Sequence, residues 1–566
     1  MSFKVSSFNE WTTDVFDEKT ISNVINLKKH DQNQFDDSFY KNLEFGTGGM
    51  RGLMGVGPNR VNKYTFGKTT QGISNYLNKK FNHKEISVVI GRDCRNNGED
   101  LEKVVSEVFS SNNIKVYKFK SIQPTPLVSF AIRELKCTCG VVLTASHNPK
   151  EYNGYKVYWE DGGQIVPPID SRLTDEIEGV KYSQIKFKQN ENLIHTLDNS
   201  IEELYVKKSL HFFNKLYSNS EKNLKIVFTS LHGTSYKLIP KLLKKTGFSE
   251  LKLVDKQMIP DGNFTHAKSS NPEEKLALID AIEIAKKNNS DLVIGTDPDA
   301  DRFGIVVKDF NGDFIQINGN QSMIVLTDFL LSRLQYEKTK SFIASTVVST
   351  PMMQKIADKN KVKLILSLTG FKWIGKMIND FPSLNYLCGG EESYGFLAGN
   401  FVRDKDALTS SLLISGLCNE LKEQNSSFFE RLIDCYVKYG FYKEKLVSIT
   451  EKGEKGFKKI SETINSLRDN PPNRLADDPI IKIYDYKESL LTDKLNNVSS
   501  ILNFPKSNLL IFESSNGTKV AVRPSGTEPK IKYYFSVNTN LDKKNDFKLK
   551  DELLNKKINL LIEQFI

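Results

Sequence analysis

Short β-branched runs recur along this chain, each ending in a glycine-rich or polar turn and followed by a longer helical pattern, as βαβ units do. ISVVI at 86–90 runs into Gly91-Arg92-Asp93, and GVVL at 140–143 runs into Thr144-Ala145-Ser146-His147-Asn148-Pro149. Farther on, LKIVF at 224–228 leads to Thr229-Ser230-Leu231-His232-Gly233-Thr234, and DLVIG at 291–295 to Thr296-Asp297-Pro298-Asp299-Ala300-Asp301-Arg302. FIAST at 342–346 and LILSL at 364–368 follow, the latter ending in Thr369-Gly370-Phe371-Lys372. This recurrence restricts the chain to α/β architecture, in which loops at the carboxyl ends of strands bind ligands. At 566 residues several cores are needed, about three to five domains. Beyond about residue 430 the pattern changes: Lys- and Glu-rich helices lead to KVAVRP at 519–524 and IKYYFSV at 531–537, a smaller α+β unit.

Charge narrows the function classes. Lys and Arg number 79 against 69 Asp and Glu, a net +10, but the cations are interleaved with acids and asparagines along the whole length. That favours an anion-friendly surface and argues against nucleic-acid binding. The start, MSFKVSSFNEWTTDVFDEK, has no apolar signal core, and no later run is long enough to cross a bilayer. A cytoplasmic protein with no membrane contact and no obligate protein partner is expected. The six cysteines are scattered, apart from the pair Cys137 and Cys139, so reduced thiols are expected in place of a disulfide framework. Near the end, Leu549, Leu553, Leu554, Ile558, Leu561, Ile562 and Phe565 fall at helical spacing and predict one packed apolar face. The asparagine-rich stretches at 188–200 and 466–480 read as linkers or surface loops.

Five loops carry residues suited to chemistry, and each has a plain alternative. Ser146-His147-Asn148-Pro149 follows a strand and offers a hydroxyl at a sheet edge, although an Asn-Pro turn is also common punctuation. It is not the G-x-S-x-G elbow of hydrolases. Asp297, Asp299 and Asp301 alternate after an apolar run and would surround one hard cation such as Mg²⁺. An EF-hand is excluded, because Arg302 stands where its glycine belongs and Lys308 where its twelfth-position Glu belongs. A solvated acidic turn is the remaining alternative, and three clustered like charges weigh against it. Gly389-Gly390-Glu391-Glu392-Ser393-Tyr394-Gly395 supplies acceptors for vicinal hydroxyls, or is a turn. Arg523-Pro524-Ser525-Gly526-Thr527-Glu528-Pro529-Lys530 has the donors of a phosphate cradle, or is a polar hairpin. Phe45-Gly46-Thr47-Gly48-Gly49-Met50-Arg51-Gly52 is by itself a flexible loop with a cation.

Taken in this order, the TASHNP, DPDADR, GEES and RPSGTEP segments resemble the phosphohexomutase superfamily, the phosphoglucomutases and phosphomannomutases, over roughly residues 40–540. LEFGTGGMRG and TASHNPKEYNGYKVYW look like the large bacterial type. The resemblance implies four domains around a central cleft, the first three related α/β units and the fourth a smaller α+β unit. The corresponding divisions here are 1–200 with the phosphoserine loop, 201–312 with the metal loop, 313–430 with the sugar loop and 431–566 with the phosphate loop.

By the same resemblance, Ser146 carries the phosphoryl group, and Asp297, Asp299 and Asp301 hold Mg²⁺ together with a phosphoserine oxygen. Arg302 is their charge partner. Glu391 and Ser393 read the sugar hydroxyls, and Arg523, Ser525, Gly526 and Thr527 hold the nonreacting phosphate. Arg51, His147, Lys156, Lys372 and Lys405 match cleft cations, and Thr369 and Gly370 belong to the glucose-type TGFKWIG loop. The implied reaction interconverts glucose 1-phosphate and glucose 6-phosphate through a sugar 1,6-bisphosphate, with mannose phosphates as further substrates. The alternatives are a phosphopentomutase acting on ribose phosphates, or a non-catalytic sugar-phosphate binding protein.

Overall fold

Four sheets organise the chain. The structure, a computed structural model, describes residues 3–82, 84–217, 221–451, 453–525 and 530–566. In the first sheet the strands run in the order Gly49–Leu53, Tyr152–Trp159, Cys139–Leu143, Ser87–Arg92, Lys115–Phe119, Ile194–Leu197. Its last four are mutually parallel, and Tyr152–Trp159 returns antiparallel beside Cys139–Leu143. The second sheet follows the order Phe314–Ile317, Phe303–Lys308, Leu292–Thr296, Ile226–Thr229, Leu251–Leu253, and the third Lys363–Ser367, Ser341–Thr346, Asn385–Gly390, Phe396–Ala398. Both repeat the device of parallel strands closed by an antiparallel return. The fourth sheet is antiparallel throughout and includes the adjacent strands Lys519–Pro524 and Lys530–Thr539.

This topology refines the βαβ expectation. The loops bearing Ser146, the three aspartates and Glu391 do not lead into helices; each joins a parallel strand to its antiparallel neighbour. The feeding strands Cys139–Leu143 and Leu292–Thr296 are buried along their whole length, as parallel strands covered on both faces must be. Their apolar runs therefore end abruptly, and the first polar residues after them emerge at the sheet edge.

One apolar cluster runs through the second, third and fourth units, with Phe228, Ile294, Ile343, Leu412 and Phe512 among its members. The first sheet has a second core on its other face, including Phe66, Val88, Val141 and Val157. A third cluster around Trp11, Phe39 and Tyr64 seats the N-terminal helices Phe3–Trp11, Glu18–His30 and Gln32–Phe39. The helix Ala407–Glu423, capped by Asp406 accepting from Leu408 N and Thr409 N, is almost wholly buried and packs on both Phe396–Ala398 and Leu292–Thr296. It thereby ties the second unit to the third.

Two expectations change. The stretch 188–200 is not a plain linker, because Ile194–Leu197 forms the edge strand of the first sheet. The C-terminal helix Phe547–Phe565 buries Leu554, Ile558 and Leu561, but Leu549 and Leu553 are 68% and 52% exposed, so its packed stripe is narrower than the sequence suggests. Among the described residues no helix is long and apolar enough to cross a membrane, and all six cysteines are unpaired.

Candidate active site

Loops from the first three sheets meet where their antiparallel returns begin. Ser146 Oγ donates to Asp297 Oδ2 at 2.8 Å and lies 3.2 Å from His147 Nδ1. Burial, followed by the nearby Arg302 and Arg51 guanidiniums, pushes the His147 imidazole well below its usual range, so the ring is neutral. Arg51, opposite Gly154 in the sheet register, donates to Asn148 Oδ1 at 2.8 Å.

The three aspartates are buried, and their ligand oxygens lie within 4.8 Å of one another. Asp297 Oδ1 accepts the backbone N–H groups of Asp301 at 3.1 Å and Arg302 at 2.9 Å, which curls the loop so that all three carboxylates face one point. Asp299 Oδ2 accepts from Lys156 Nζ at 2.7 Å and from Thr125 Oγ1 at 2.9 Å. Asp301 Oδ2 is 3.1 Å from Lys156 Nζ and 3.2 Å from Lys405 Nζ. Burial opposes ionisation of Asp301, but Lys156, Lys405 and Arg302 outweigh it and hold its carboxyl well below the usual range. Burial and then the Asp301 and Asp299 charges push Asp297 the other way, well above that range.

The two lysines do not satisfy the cluster. Asp299 Oδ1 and Asp301 Oδ1 are buried without a hydrogen-bond partner. Orphaned buried carboxylate oxygens are costly, and an all-oxygen set of this kind suits a hard divalent cation such as Mg²⁺. The donor set therefore fits the expected metal.

The third sheet closes the site. Glu391 Oε1 accepts from Gly370 N at 2.7 Å, and burial lifts its carboxyl to about 7 against the pull of Lys405. Gly370 adopts φ 113°, a conformation that favours glycine. Lys405 runs across Gly395, where a Cβ would stand 2.0 Å from its Cδ, so only glycine lets the lysine reach Asp301. Arg302 and Gly395 form a single antiparallel bridge that joins the aspartate loop to the loop bearing Glu391 and Ser393. Ser393 is half-buried beside them, and the Thr369 hydroxyl is buried without a hydrogen-bond partner. Lys372 Nζ reaches back to the first unit, donating to Thr47 O at 3.1 Å. From the fourth sheet come Arg523 and Ser525; Gly526 and Thr527 lie outside the described residues.

Family models of the phosphoglucomutase/phosphomannomutase α/β/α domains I, II and III match residues 42–184, 203–312 and 318–436. A phosphoglucomutase of Staphylococcus epidermidis is 35% identical over 536 residues, covering 94% of this chain and 96% of that protein. The chain belongs to the phosphoglucomutase/phosphomannomutase family. A phosphoglucomutase of Staphylococcus aureus is 37% identical over 521 residues, 90% of this chain and 93% of its own length. In structure, the fold is similar to the open form of parafusin, a phosphoglucomutase from Paramecium, with a TM-score of 0.67 and 19% identity over 93% of this chain and 96% of that one. Membership in the mutase family makes the chain an intramolecular phosphotransferase, the enzyme class its motifs lead one to expect.

Several residues of this mutase's candidate site carry no motif signal. Lys532 is the cross-strand neighbour of Arg523. Burial, then Arg302, lower its ammonium pKa, with Glu273, Glu392 and Arg523 also close enough to act on it. It thus places a fourth-sheet cation within electrostatic reach of the loops bearing Arg302 and Glu392. Glu273 holds Arg302 Nη1 in an ion pair, and Glu392 Oε2 accepts from Ser349 Oγ at 2.8 Å and Thr346 Oγ1 at 3.0 Å. Lys532 lies just beyond the RPSGTEP segment, where strand alternation placed it on the face of Arg523; Glu273 carried no comparable signal.

Proposed function

We propose that this enzyme interconverts glucose 1-phosphate and glucose 6-phosphate, with Ser146 carrying the transferred phosphoryl group and glucose 1,6-bisphosphate as the intermediate. The observation that carries the reading is the seating of the Ser146 hydroxyl, 2.8 Å from a buried aspartate cluster with two orphaned oxygens and ringed by Arg51, Lys156, Arg302 and Lys405. Phosphoryl transfer places charge on oxygens in line with phosphorus, so positioning and fixed cations do most of the catalysis. Asp297, Asp299 and Asp301, with an oxygen of the phosphorylated Ser146, would hold Mg²⁺. That ion would neutralise charge on the phosphoryl oxygens.

In the forward half-reaction the P–O bond at Ser146 Oγ breaks as a new one forms at the free sugar hydroxyl, whose proton passes to the departing Ser146 Oγ. In the return half, Ser146 Oγ attacks the other phosphate of the reoriented bisphosphate, that phosphate's bond to the sugar oxygen breaks, and the proton of Ser146 Oγ, which has Asp297 Oδ2 at 2.8 Å and His147 Nδ1 at 3.2 Å, passes to the freed sugar oxygen. Glu391 and Ser393, beside Thr369 and Gly370, would read the sugar hydroxyls in both orientations. Lys372, Arg523, Ser525, Gly526 and Thr527 would hold whichever phosphate is not reacting. The division at 1–200, 201–312, 313–430 and 431–566 and a cytoplasmic location belong to this proposal; the latter is supported by the unpaired cysteines.

Coupled assays on glucose, mannose and ribose phosphates, primed with the corresponding bisphosphates, test the reading. Glucose 1-phosphate is expected to turn over fastest. No turnover of it in the presence of glucose 1,6-bisphosphate and Mg²⁺ would overturn the proposal.

A further inference from the structure

We propose that Arg95, working with Asp93, is the positioning residue that holds Ser146 in the conformation required for phosphoryl transfer, an inference that rests on reading Ser146 as the phosphoryl carrier. Neither residue belongs to the five chemical loops. Both follow the central strand Ser87–Arg92, beside the strand that feeds the serine loop. Arg95 is only 2% exposed, and its guanidinium is turned toward backbone carbonyls. Nη2 donates to Ser146 O at 2.7 Å and to Asn148 O at 2.5 Å, while Nη1 donates to Pro149 O and Tyr152 O, each at 2.8 Å. Nε lies 3.2 Å from Asp93 Oδ2. The Phe264 ring of the second unit packs against the guanidinium, its centroid 5.2 Å from Cζ.

The backbone at Ser146 explains why such a clamp is needed. Its φ of 52° lies in the left-handed region, which residues with a Cβ adopt only when their surroundings over-determine it. The carbonyl of Ser146 is held by Arg95, and its N–H donates to Thr144 Oγ1 at 2.7 Å. The Thr144 hydroxyl in turn donates to Asp93 Oδ2 at 2.6 Å, and Asp93 Oδ1 accepts from Arg95 N at 2.9 Å. Both backbone polar groups of Ser146 are therefore tied to the same acid–base pair. With the carbonyls of the loop gathered on Arg95, Oγ is left to meet Asp297 Oδ2. A lysine could supply the charge but not the planar fork that spans four carbonyls at once.

A residue that orients the phosphoryl carrier should change the rate of transfer and leave substrate affinity alone, because the sugar and its distal phosphate are held by other loops. The test compares wild type, Arg95→Lys, Arg95→Met and Thr144→Val. The measurements are kcat and KM for glucose 1-phosphate, the rate of label transfer from ³²P-glucose 1,6-bisphosphate to Ser146, glucose 6-phosphate affinity by calorimetry, and thermal melting. In Arg95→Lys, kcat and the labelling rate are expected to fall on the order of 10- to 100-fold, with KM and affinity within about twofold, since small misplacements of a reacting atom cost rates of this size. Arg95→Met should lose more, and Thr144→Val should show the same split between kcat and KM. If Arg95→Met fails to fold, Arg95→Lys and Thr144→Val carry the test. Wild-type labelling and kcat in both of these variants would overturn the positioning role, as would a loss of affinity in step with the loss of rate. A wild-type chain that takes no label on Ser146 would instead overturn the phosphoserine reading on which the inference rests.

Discussion

Ser146 Oγ and Asp297 Oδ2 are joined by a 2.8 Å hydrogen bond across 151 residues of chain. The contact locks the loop of the first sheet onto that of the second, so the proposed phosphoryl carrier and the proposed metal ligands form one unit. Ser146→Ala is therefore expected to abolish turnover. Intact-mass measurement of the wild-type chain should find a phosphorylated fraction that rises on incubation with glucose 1,6-bisphosphate, and peptide mapping should place it on Ser146. A phosphate mapped to any other residue would contradict the assignment.

The orphaned oxygens of Asp299 and Asp301 predict how the metal acts on stability as well as rate. A cation that binds only the folded chain stabilises it by about 2.7 kcal/mol at a hundredfold excess over Kd. Mg²⁺ should therefore raise the melting temperature of the chelator-treated protein, and Asp301→Asn should lose both that rise and activity. Full activity in excess EDTA would show that the cluster needs no metal.

Burial, and then the neighbouring Arg523 guanidinium, lower the Lys372 ammonium to about 8. Its positive charge is thus present below pH 8 and lost as pH rises through it, and a dianionic sugar phosphate binds best to the charged form. Accordingly kcat/KM should decline above about pH 8. Lys372→Arg, whose guanidinium stays ionised, should move that alkaline limb upward. A limb that stays in place in an active Lys372→Arg enzyme would assign it to another group.

Arg523 and Lys532 stand side by side on adjacent strands of the fourth sheet. A charge-assisted contact from Arg523 to phosphate in a shielded cleft is worth about 2 to 4 kcal/mol. Arg523→Ala should therefore raise KM strongly for glucose 1-phosphate and glucose 6-phosphate alike, with little change in melting temperature. Lys532→Met should act in the same direction. A loss confined to one direction of reaction would refute the two-orientation scheme.

Much of the site was legible in the chain because each chemical loop is a few contiguous residues. Three aspartates at alternate positions after a fully buried strand come together because their own backbone curls around Asp297, a local event. The reading failed where partners come from afar. The asparagine-rich stretch 188–200 looked like a linker because the edge strand inside it, Ile194–Leu197, is four residues long with an exposed polar middle, and Leu549 and Leu553 share the helical spacing of buried neighbours yet face solvent.

By itself, then, the sequence determined the α/β units, the order of the loops and the chemistry each can offer, since these follow from short-range periodicity and residue type. Tertiary structure decided what faces what. Lys156 meets Asp299 across 143 residues, Arg95 gathers the carbonyls of a loop more than fifty residues away, and Glu273 takes Arg302 across 29. No local pattern encodes such pairs, because they arise only when separate sheets pack and bring their loops to one cleft, where burial sets the charge each group can hold.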